Sequence, residues 1–452
     1  MSEARHSWIE AIRVYREVRV WQMMFLGFSA GLPILLVFGT LSAWLKRSGV
    51  DNTTIGFISW VALAYGLKVF WSPLVDRFRL PVLDRSLGKR RGWMLLAQCG
   101  VIFGLVNMAM SDPLTQLSTL VVFALVVAFS SATQDIAIDA WRIEAMPVET
   151  QGIMAGTYQL GYRLGMIVAG GGAFSLAHFH SWPVAYMVMA AAMLIGVVTT
   201  LLIAEPDHSV SDETWKQEQR VISFMESSAH LHGWIRNTIA WFIGAVICPF
   251  TEFFMRNGKL ALYILLFIGL FRISDITMGV MANPLYVERG YTDLEIGIIS
   301  KTAGFIITII GALLGGILVF RYGVMKMLLA GAIIVILTNL AFALLAVLPA
   351  NILYLAIVVG GDNLAGGLAG SAFIAYLSGL ANRAYTATQY ALFSSLMLLP
   401  AKFIGGFSGV VVDSFGFVNF FIYSAAIGIP AILLILYLTR QDTVNAFPDQ
   451  GR

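Results

Sequence analysis

Ile55–Ser59 (IGFIS) returns in altered form as Ile296–Ser300 (IGIIS), and this pair of stretches decides the predicted fold. Each stretch opens a long apolar run. Each run ends in a short charged turn, at Asp76–Arg77 in the first and at Arg321–Gly323 in the second. Related stretches so far apart are typical of transporters that are built from repeated halves. The repeat therefore predicts two halves of similar architecture.

The chain contains twelve apolar runs that can cross a hydrocarbon core of ~30 Å, which takes about 20 helical residues. The predicted spans start near Trp21, Ile55, Trp93, Leu117, Ile153, Pro183, Leu260, Ile296, Met327, Ile352, Thr388 and Phe417. A second repeat supports six spans in each half, because Thr150-Gln151 precedes the fifth span and Thr388-Gln389 opens the eleventh. We therefore predict an all-α membrane protein of two six-helix bundles, with about 12 transmembrane helices around a central cavity.

The long hydrophilic interval after the sixth run predicts how the chain is divided. The predicted segments are an amphipathic N-terminus at 1–20, a first bundle at 21–204, a linker at 205–258, a second bundle at 259–440 and a tail at 441–452. Within the linker, Ile239–Phe250 is wholly apolar, but its twelve residues are too few to cross the membrane. We therefore expect a helix in the membrane interface there rather than a thirteenth span.

Composition and charge distribution indicate the environment of the chain. Of its 452 residues, 58% are hydrophobic and 12% are charged, whereas about a quarter are charged in soluble domains. With both termini inside, the predicted cytoplasmic segments hold 21 of the 29 Lys and Arg residues and the opposite loops hold three. Basic residues concentrate on the cytoplasmic side of membrane proteins. We therefore expect a multi-pass membrane protein with both termini in the cytoplasm.

Several classes of function lack their sequence signatures. No glycine-rich stretch follows a strand or leads into a Gly-Lys-Ser/Thr sequence, which argues against ATP as the energy source. The two cysteines and six histidines have no metal-ligand spacing, and no nucleophile–base constellation stands out. We expect an ion gradient as the energy source and no enzyme activity, metal, cofactor or nucleic-acid partner. A monomer is the default for this architecture.

Charged residues inside the predicted spans are the main candidates for function. Each costs ~2.5–3.5 kcal/mol at the bilayer centre unless it faces a cavity or a partner. They are Lys68, Asp135, Asp139, Arg163, Arg272, Asp275, Lys301, Asp362 and Lys402. Because five are basic and four acidic, structural ion pairs between helices remain the alternative for every one of them.

The fourth span carries several polar residues close together. Asp135, Asp139 and Arg142 are four and three residues apart, so they share one helical face. Asp139 and Arg142 fall near the cytoplasmic end and suit a structural latch. Asp135, beside Gln134, lies deeper and suits a group that takes up and releases a proton.

Arginines on the fifth and seventh spans favour an anionic substrate. Gln159 and Arg163 are four residues apart, and a guanidinium group suits a carboxylate or phosphate. Arg272 and Asp275 are three apart and form either a local ion pair or a substrate-sensitive pair. In the second case, protonation of Asp275 frees Arg272 for an anion. Pairing across the bundle with an aspartate is the alternative for Arg163.

Further polar and aromatic residues can extend this site. Lys68, Lys301 and Lys402 add positive charge inside the spans. Tyr65 can stack on a sugar ring, although an interfacial aromatic belt is the alternative for such residues.

A set of stretches spread over nearly the whole chain resembles the AmpG-type muropeptide permeases of the major facilitator superfamily. The matching stretches are Gly27–Pro33, Trp71–Arg77, Gly88–Trp93, Ser131–Ile136, Asp139–Trp141, Gly161–Met166, Lys301-Thr302, Asn363–Gly367, Ser371–Phe373 and Ala387–Leu392. Trp71–Trp93 is a variant of the general facilitator loop Gly-x-x-x-Asp-Arg-x-Gly-Arg-Arg. That loop alone is weakly specific, whereas the set is strong.

The resemblance implies the major facilitator fold and proton-driven import of anhydromuropeptides (N-acetylglucosaminyl-anhydro-N-acetylmuramyl peptides) for cell-wall recycling. It also implies a link to β-lactamase induction. Matched positions carry over Asp135, Gln134, Arg163, Asp275 and Lys301 as candidates for coupling and binding. The complete predicted set is Asp135 and Asp275 for the proton, Gln134, Tyr65, Lys68, Gln159, Arg163, Arg272, Lys301, Asn363 and Lys402 for the substrate, and Asp76, Arg77, Arg90, Arg91, Asp139 and Arg142 for a conformational gate.

Two other transport functions remain as alternatives. The Thr-Gln-Asp-Ile sequence at 133–136 is shared with the related acetyl-coenzyme A transporters, so the substrate can be another bulky anion. Export of apolar drugs is the second alternative. The five basic residues within spans count against it.

Overall fold

The computed structural model describes residues 8–50, 58, 61, 63–206, 212–227 and 232–441, and all regular structure in these ranges is helical. Helices suit a lipid environment because they satisfy their backbone donors and acceptors internally. In the described ranges, eleven helices are long and apolar enough to cross a membrane, and one of them, Gly233–Asn257, lies in the predicted linker. The predicted all-α multi-pass architecture is therefore confirmed. We number the six predicted spans on either side of the linker 1–12 in chain order; span 2 and the part Thr386–Gly405 of span 11 are not among the eleven helices.

Spans 1–6 form the first half. They are Val18–Leu36 with Gly39–Arg47; Leu63–Leu67, Lys68–Phe70 and Ser72–Arg77; Lys89–Met110; Leu117–Ala145; Gln151–Ile167, Val168–Gly172 and Ala173–Phe179; and Trp182–Ala192 with Leu194–Leu202. Short helices at Trp8–Val14, Leu83–Leu87 and Val148–Thr150 precede or join them. The first copy of the repeat, 55–59, lies outside the described residues apart from Ile58.

Spans 7–12 form the second half. They are, in order, Leu260–Phe271 with Ile273–Glu288; Gly297–Ala303 with Gly304–Tyr322; Val324–Leu345; Ile352–Leu380; Thr386–Gly405 with the part of Ser408–Ala426 before Gly416; and the part of Ser408–Ala426 after Gly416 with Ile429–Arg440. Gly416 has a φ of 77°, which favours glycine, and it separates spans 11 and 12 within the segment Ser408–Ala426. Asp293–Ile296 leads into span 8.

The apolar cores are divided between the two halves. One buried cluster contains only first-half residues, such as Leu105 and Tyr186. The clusters of the two halves interlock at one end of the molecule, where Ile143 of span 4 joins a second-half cluster. In return, Ala387 and Ala391 of span 11 join a first-half cluster. Each half is therefore a packed bundle, and the bundles meet at this end.

That end carries the charged turns, and we call it the basic face; the other end is the opposite face. The basic face contains the turns around 78–88, 146–150, 323 and 381–385. The short helix Trp8–Val14 reaches across it, since the guanidinium carbon of Arg321 lies 4.5 Å from the Trp8 ring centroid. The segments 1–7 and 442–452 lie outside the described residues.

The linker contains a helix that contacts both halves at the basic face. Asp212–Ser227 is followed by one continuous helical stretch, Gly233–Asn257. Nη2 of Arg77 donates to the carbonyl oxygen of Gly244 at 2.8 Å, and Nε2 of Gln389 donates to that of Pro249 at 2.9 Å. The stretch is long enough to span a membrane, but these contacts are with the same end of each bundle. Its interfacial location stays a prediction.

Close packing of spans 1 and 5 depends on glycine. Gly27 and Gly31 of span 1 and Gly161 and Gly165 of span 5 lie so close to the facing helix that a Cβ on any of them would collide with a backbone carbonyl oxygen. Small residues at this spacing let membrane helices pack backbone to backbone. This glycine seam holds span 5 in the first half.

We expect Gly161→Ala to destabilise the protein by about 1–3 kcal/mol, because overpacking forces the two backbones apart. The thermal unfolding midpoint in detergent would fall measurably. Gly171→Ala on the same span is the matched control, since a Cβ there would meet no atom within 4 Å. Equal midpoints for the two variants would show that the seam does not limit stability.

Candidate substrate site and gate

A buried ion network at the basic face is centred on Arg90, at the start of span 3. Its Nη2 lies 2.9 Å from Oδ1 of Asp76 and 2.6 Å from Oε1 of Glu144, and all three side chains are at most 2% exposed. Its Nε also donates to both Glu144 oxygens at 3.1 Å. Buried ions are tolerated when they are paired and hydrogen-bonded. The network therefore fixes the ends of spans 2, 3 and 4 to one another.

The same network reaches the second half through the start of span 11. Oδ1 of Asp76 accepts from the backbone N–H of Ala387 at 3.1 Å, and Oδ2 accepts from that of Thr388 at 2.6 Å. Thr386 Oγ1 donates to Oε1 of Glu144 at 2.6 Å. The first N–H groups of a helix lack partners within the helix and attract anions. A first-half carboxylate thus caps a second-half helix.

Arg142 makes a second connection between the halves. Its Nη1 donates to Oε1 of Gln151 and to Oγ of Ser378, both at 2.9 Å. Its Nη2 lies 3.3 Å from Oδ1 of Asp139. Its guanidinium carbon lies 5.3 Å from the ring centroid of Tyr390 on span 11. Because Ser378 and Tyr390 belong to the second half, Arg142 bridges the closed basic face.

Arg77 contacts the linker and the second half, whereas Arg91 contacts the first half. Besides Gly244, the guanidinium of Arg77 lies 6.0 Å from the ring centroid of Tyr385, so it contacts the linker and the second half. Arg91 instead donates from Nε to the carbonyl oxygen of Thr200 at 2.9 Å. It ties spans 3 and 6 of one half together in this conformation.

Glu205 caps span 3 much as Asp76 caps span 11, but within one half. Its Oε1 accepts from the backbone N–H of Arg90 at 2.7 Å, and its Oε2 accepts from that of Arg91 at 3.1 Å. Burial raises the pKa of the Glu205 carboxyl, and the two N–H donors oppose that effect. The start of span 3 is therefore anchored inside the first half.

Glycines of spans 5 and 8 pack the two halves against each other at the basic face, and we call this contact the seal. A Cβ on Gly156 would lie 2.8 Å from the carbonyl oxygen of Ala312, and one on Gly316 would lie 2.7 Å from that of Gly152. Every residue from Gln151 to Thr157 is buried, whereas beyond Thr157 most residues of span 5 are at least partly exposed. The halves are thus closed at the basic face, and span 5 is uncovered toward the opposite face.

Asp135 of span 4 lies beside a group of tyrosines from spans 2 and 5, and we call this group the first-half wall. Its Oδ1 is buried and has no hydrogen-bond partner among the described residues, and the same holds for both amide atoms of Gln134. Tyr158 and Tyr162, with ring centroids 5.9 Å apart, lie within electrostatic range of the Asp135 carboxyl, as does Tyr65. This wall combines aromatic rings with a carboxylate oxygen that can still accept a hydrogen bond or a proton.

Arginines from both halves face the space above the seal. The guanidinium carbon of Arg163 lies 4.7 Å from the ring centroid of Phe305 on span 8, and no carboxylate of the described residues is within ion-pair distance of it. Arg272 pairs with Asp275 at 2.8 Å, and these side chains are 26% and 19% exposed. Arg163 and Arg272 lie within electrostatic range of each other. Asp362 of span 10 also lies within electrostatic range of Arg272 and Asp275. Arg163 is therefore the guanidinium group of this pair that lacks a carboxylate within ion-pair distance in the described ranges.

The remaining predicted residues are more scattered. Lys68 Nζ lies 4.0 Å from Oδ2 of Asp139. Asn363 joins spans 8 and 10, because its Oδ1 accepts from Thr308 Oγ1 at 2.7 Å. Lys402 is exposed near the end of span 11. The side chain of Lys301 lies outside what the structure describes.

Comparison with known proteins identifies the family. The sequence profile of the Major Facilitator Superfamily matches residues 23–401. A Rickettsia felis transporter named AmpG 4 is 34% identical over 434 residues, which cover 96% of this chain and 99% of that protein. The anhydromuropeptide permease of Escherichia coli K12 is 35% identical over 428 residues, covering 94% and 80%. The chain belongs to the AmpG-type permeases of the major facilitator superfamily.

The fold of this AmpG-type chain also matches solved transporters. The major facilitator transporter FucP, crystallised in the outward conformation, superposes with a TM-score of 0.63 at 12% sequence identity, covering 93% of this chain and 97% of that one. At that identity the likeness shows the fold alone. The resemblance and the two-bundle fold expected from the sequence are both confirmed.

Sequence reasoning missed several residues of the AmpG-type gate. Glu144, Ser378 and Tyr390 were not singled out, although each contacts a predicted gate residue. Glu144 falls near the end of an apolar run, where an acidic side chain ordinarily faces water. Tyr390 was quoted only as part of the matching stretch Ala387–Leu392, and Ser378 carries no sequence signal. The contacts of both residues with Arg142 became visible only in the structure.

We expect Asp76→Asn to loosen the start of span 11, because the amide replaces a charged acceptor of two backbone N–H groups. Hydrogen bonds to charged groups contribute about 1.5–3 kcal/mol, so exchange of the Ala387 and Thr388 amides would accelerate by roughly tenfold or more. Hydrogen-exchange mass spectrometry of a peptide covering 386–392 measures this.

Asp84→Asn is the matched control for this measurement. Asp84 lies 3.8 Å from Arg79, which is 78% exposed, and the pair is outside the buried network. Exposed pairs contribute little, so exchange at span 11 should match the parent protein. Unchanged exchange in Asp76→Asn as well would contradict a capping role for Asp76.

Proposed function

We propose that this protein is a proton-coupled importer of anhydromuropeptides that works by alternating access. We place it in a bacterial inner membrane with its basic face and both termini in the cytoplasm, acting as a monomeric carrier without enzyme activity. The 35% identity to the Escherichia coli anhydromuropeptide permease over 428 residues supports this substrate class. The concentration of Lys and Arg in loops of the basic face supports the orientation.

The observation that carries the proposal is the pair Arg163 and Arg272, which come from opposite halves and face one space. Anhydromuropeptides carry peptide carboxylates, and an arginine can bind a carboxylate through two parallel hydrogen bonds. Arg272 already pairs with Asp275, whereas Arg163 has no carboxylate within ion-pair distance among the described residues, so a substrate anion would supply the partner that Arg163 lacks. Gln159 adds an uncharged donor on the same span as Arg163.

The sugar part of the substrate suits the wall around Asp135. Ligand sites combine apolar and aromatic surfaces with a few polar groups that fix orientation. Tyr65, Tyr158 and Tyr162 offer ring faces for the disaccharide, and the amide of Gln134 offers a donor and an acceptor. In this arrangement the disaccharide contacts the first half, and the peptide carboxylates contact both halves.

Asp135 is the proposed proton carrier. A buried carboxyl with a free acceptor atom can take up a proton from the uncovered side and release it when the cavity opens to the basic face. Asp275 is proposed to assist, because its protonation would weaken the 2.8 Å contact with Arg272 and free that guanidinium for the substrate. Substrate and proton would then bind together and be released together.

The two alternative substrate classes differ in how they fit the site. Another bulky anion, such as a coenzyme A thioester, would also use Arg163 and Arg272. The aromatic wall around Asp135 favours a glycosylated substrate over a coenzyme A thioester. An apolar drug would leave Arg163 without an ionic partner.

Uptake of radiolabelled N-acetylglucosaminyl-anhydromuramyl-tripeptide into proteoliposomes tests the proposal. Accumulation is expected only with an inward proton gradient. Asp135→Asn should lose at least about tenfold of this accumulation, because an amide cannot carry a proton. Exchange of substrate across the membrane without a gradient should persist in the variant, because binding remains.

Asp413→Asn is the matched control, since Asp413 is an exposed carboxylate of the second half. It should accumulate substrate like the parent. Parent-like accumulation by Asp135→Asn would overturn the role of that residue alone. Absence of uptake by well-folded parent protein would overturn the substrate class, and acyl-coenzyme A and free peptides would then be tested.

A further inference from the structure

Gly370 of span 10 lies where the two halves of the site converge. A Cβ built on it would lie 3.7 Å from Nε2 of Gln159 and 3.8 Å from Nη1 of Arg272. Gln159 belongs to span 5 and Arg272 to span 7, so polar groups of both halves meet at one backbone position. Gly370 is itself buried. A side chain at this position would therefore stand directly against both polar groups.

The neighbouring residues place Gly370 at the floor of the site. Ser371 donates from Oγ to the carbonyl oxygen of Ala312 at 2.7 Å. The same carbonyl oxygen faces Gly156 of span 5 in the seal between the halves. Gln159 lies about 4.5 Å further along span 5 than Gly156, at the helical rise of ~1.5 Å per residue. Gly370 thus lies immediately above the closed layer.

Hydrogen-bond donors outnumber acceptors around this floor. Arg163, Arg272 and Gln159 together offer twelve N–H donors. The carboxylates near Arg272 are Asp275, which pairs with it, and Asp362 of span 10, which also accepts from Thr338, and neither is within ion-pair distance of Arg163. Arg163 lies about 6 Å beyond Gln159 along span 5. A carboxylate brings two acceptor oxygens and one negative charge, which matches this surplus. A sugar hydroxyl group brings no charge and matches it less well.

We propose that Gly370 is a specificity-determining position, whose missing side chain leaves room for a carboxylate of the substrate to dock between Gln159 and Arg272. This inference rests on the proposed function and identifies which part of the muropeptide reaches the floor. A methyl group at position 370 makes ordinary van der Waals contacts with both polar groups. The further methyl groups of valine occupy the volume that the carboxylate needs.

The test compares two forms of one substrate in proteoliposomes containing the full chain. The forms are the tripeptide muropeptide with free carboxylates and the same molecule with its carboxylates amidated. The parent should show a KM for the acid at least about tenfold below that for the amide, as expected for hydrogen bonds to a charged group. Gly370→Ala should raise the KM of the acid by roughly threefold, and Gly370→Val by tenfold or more. The KM of the amide should change less than threefold in both variants.

Gly361→Val is the matched control on the same helix. Gly361 lies nine residues from Gly370 and so faces the other side of span 10, where a Cβ would meet only Cγ2 of Thr338, at 3.9 Å. The variant adds the same side chain to the same helix away from the site, so the preference for the acid should persist. Loss of the preference in Gly361→Val, or its retention in Gly370→Val, would overturn the proposal. If Gly370→Val does not fold, parent-like preference in Gly370→Ala would overturn it instead.

Failure of this inference and failure of the proposed function give different results. Parent protein that takes up the acid and the amide with equal KM would rule out carboxylate docking at Gly370 and leave the muropeptide function standing. Well-folded parent protein that takes up neither form would overturn the function itself.

Discussion

The closed state of the basic face depends on the carboxylate of Asp76, which is shared between Arg90 of its own half and the first N–H groups of span 11 in the other. A buried carboxylate cannot leave such partners unless others replace them. If the halves separate at this face, the Asp76 carboxylate stays paired with Arg90. Water can then hydrate its oxygens and the N–H groups of span 11 that no longer contact them. The contact therefore holds the halves together and can still be broken within a transport cycle.

Span 5 has glycine on two surfaces, and the surfaces serve different purposes. Toward span 1, Gly161 and Gly165 pack against backbone within one half. Toward span 8, Gly152 packs against Val319 and Gly316, and Gly156 packs against Ala312, all in the other half. These contacts between the halves are van der Waals in nature, so they could separate if the halves rock as in the proposed cycle. Span 5 would then move with the first half and slide on the second.

The fold was accessible from the sequence because hydrophobic runs and repeats are local signals. Six runs, a hydrophilic interval and six related runs allow few other architectures in a bilayer. Residues one helical turn apart were equally accessible, and the ion pairs Asp139–Arg142 and Arg272–Asp275 both form.

Contacts across the two halves were not accessible, because no spacing relates Glu144 to Thr386 or Arg142 to Ser378. Their partners are separated by most of the chain and are brought together by packing alone. Gly370 is a similar case, since one more glycine in a glycine-rich span gives no signal until its neighbours are known.

The division of the arginine pair between the halves has a consequence for the proposed cycle. When protonation of Asp275 frees Arg272, the like charges of Arg163 and Arg272 repel, and this repulsion opposes closure of the halves at the opposite face over a site without substrate. An anion bound by both removes that repulsion and attracts each half toward itself. A ligand shifts a conformational equilibrium only through such differential interaction. In the proposed cycle, substrate would therefore favour the occluded state that the protonated carrier avoids, which limits cycling in which a proton crosses alone, whereas the empty carrier keeps the Arg272–Asp275 pair and can return.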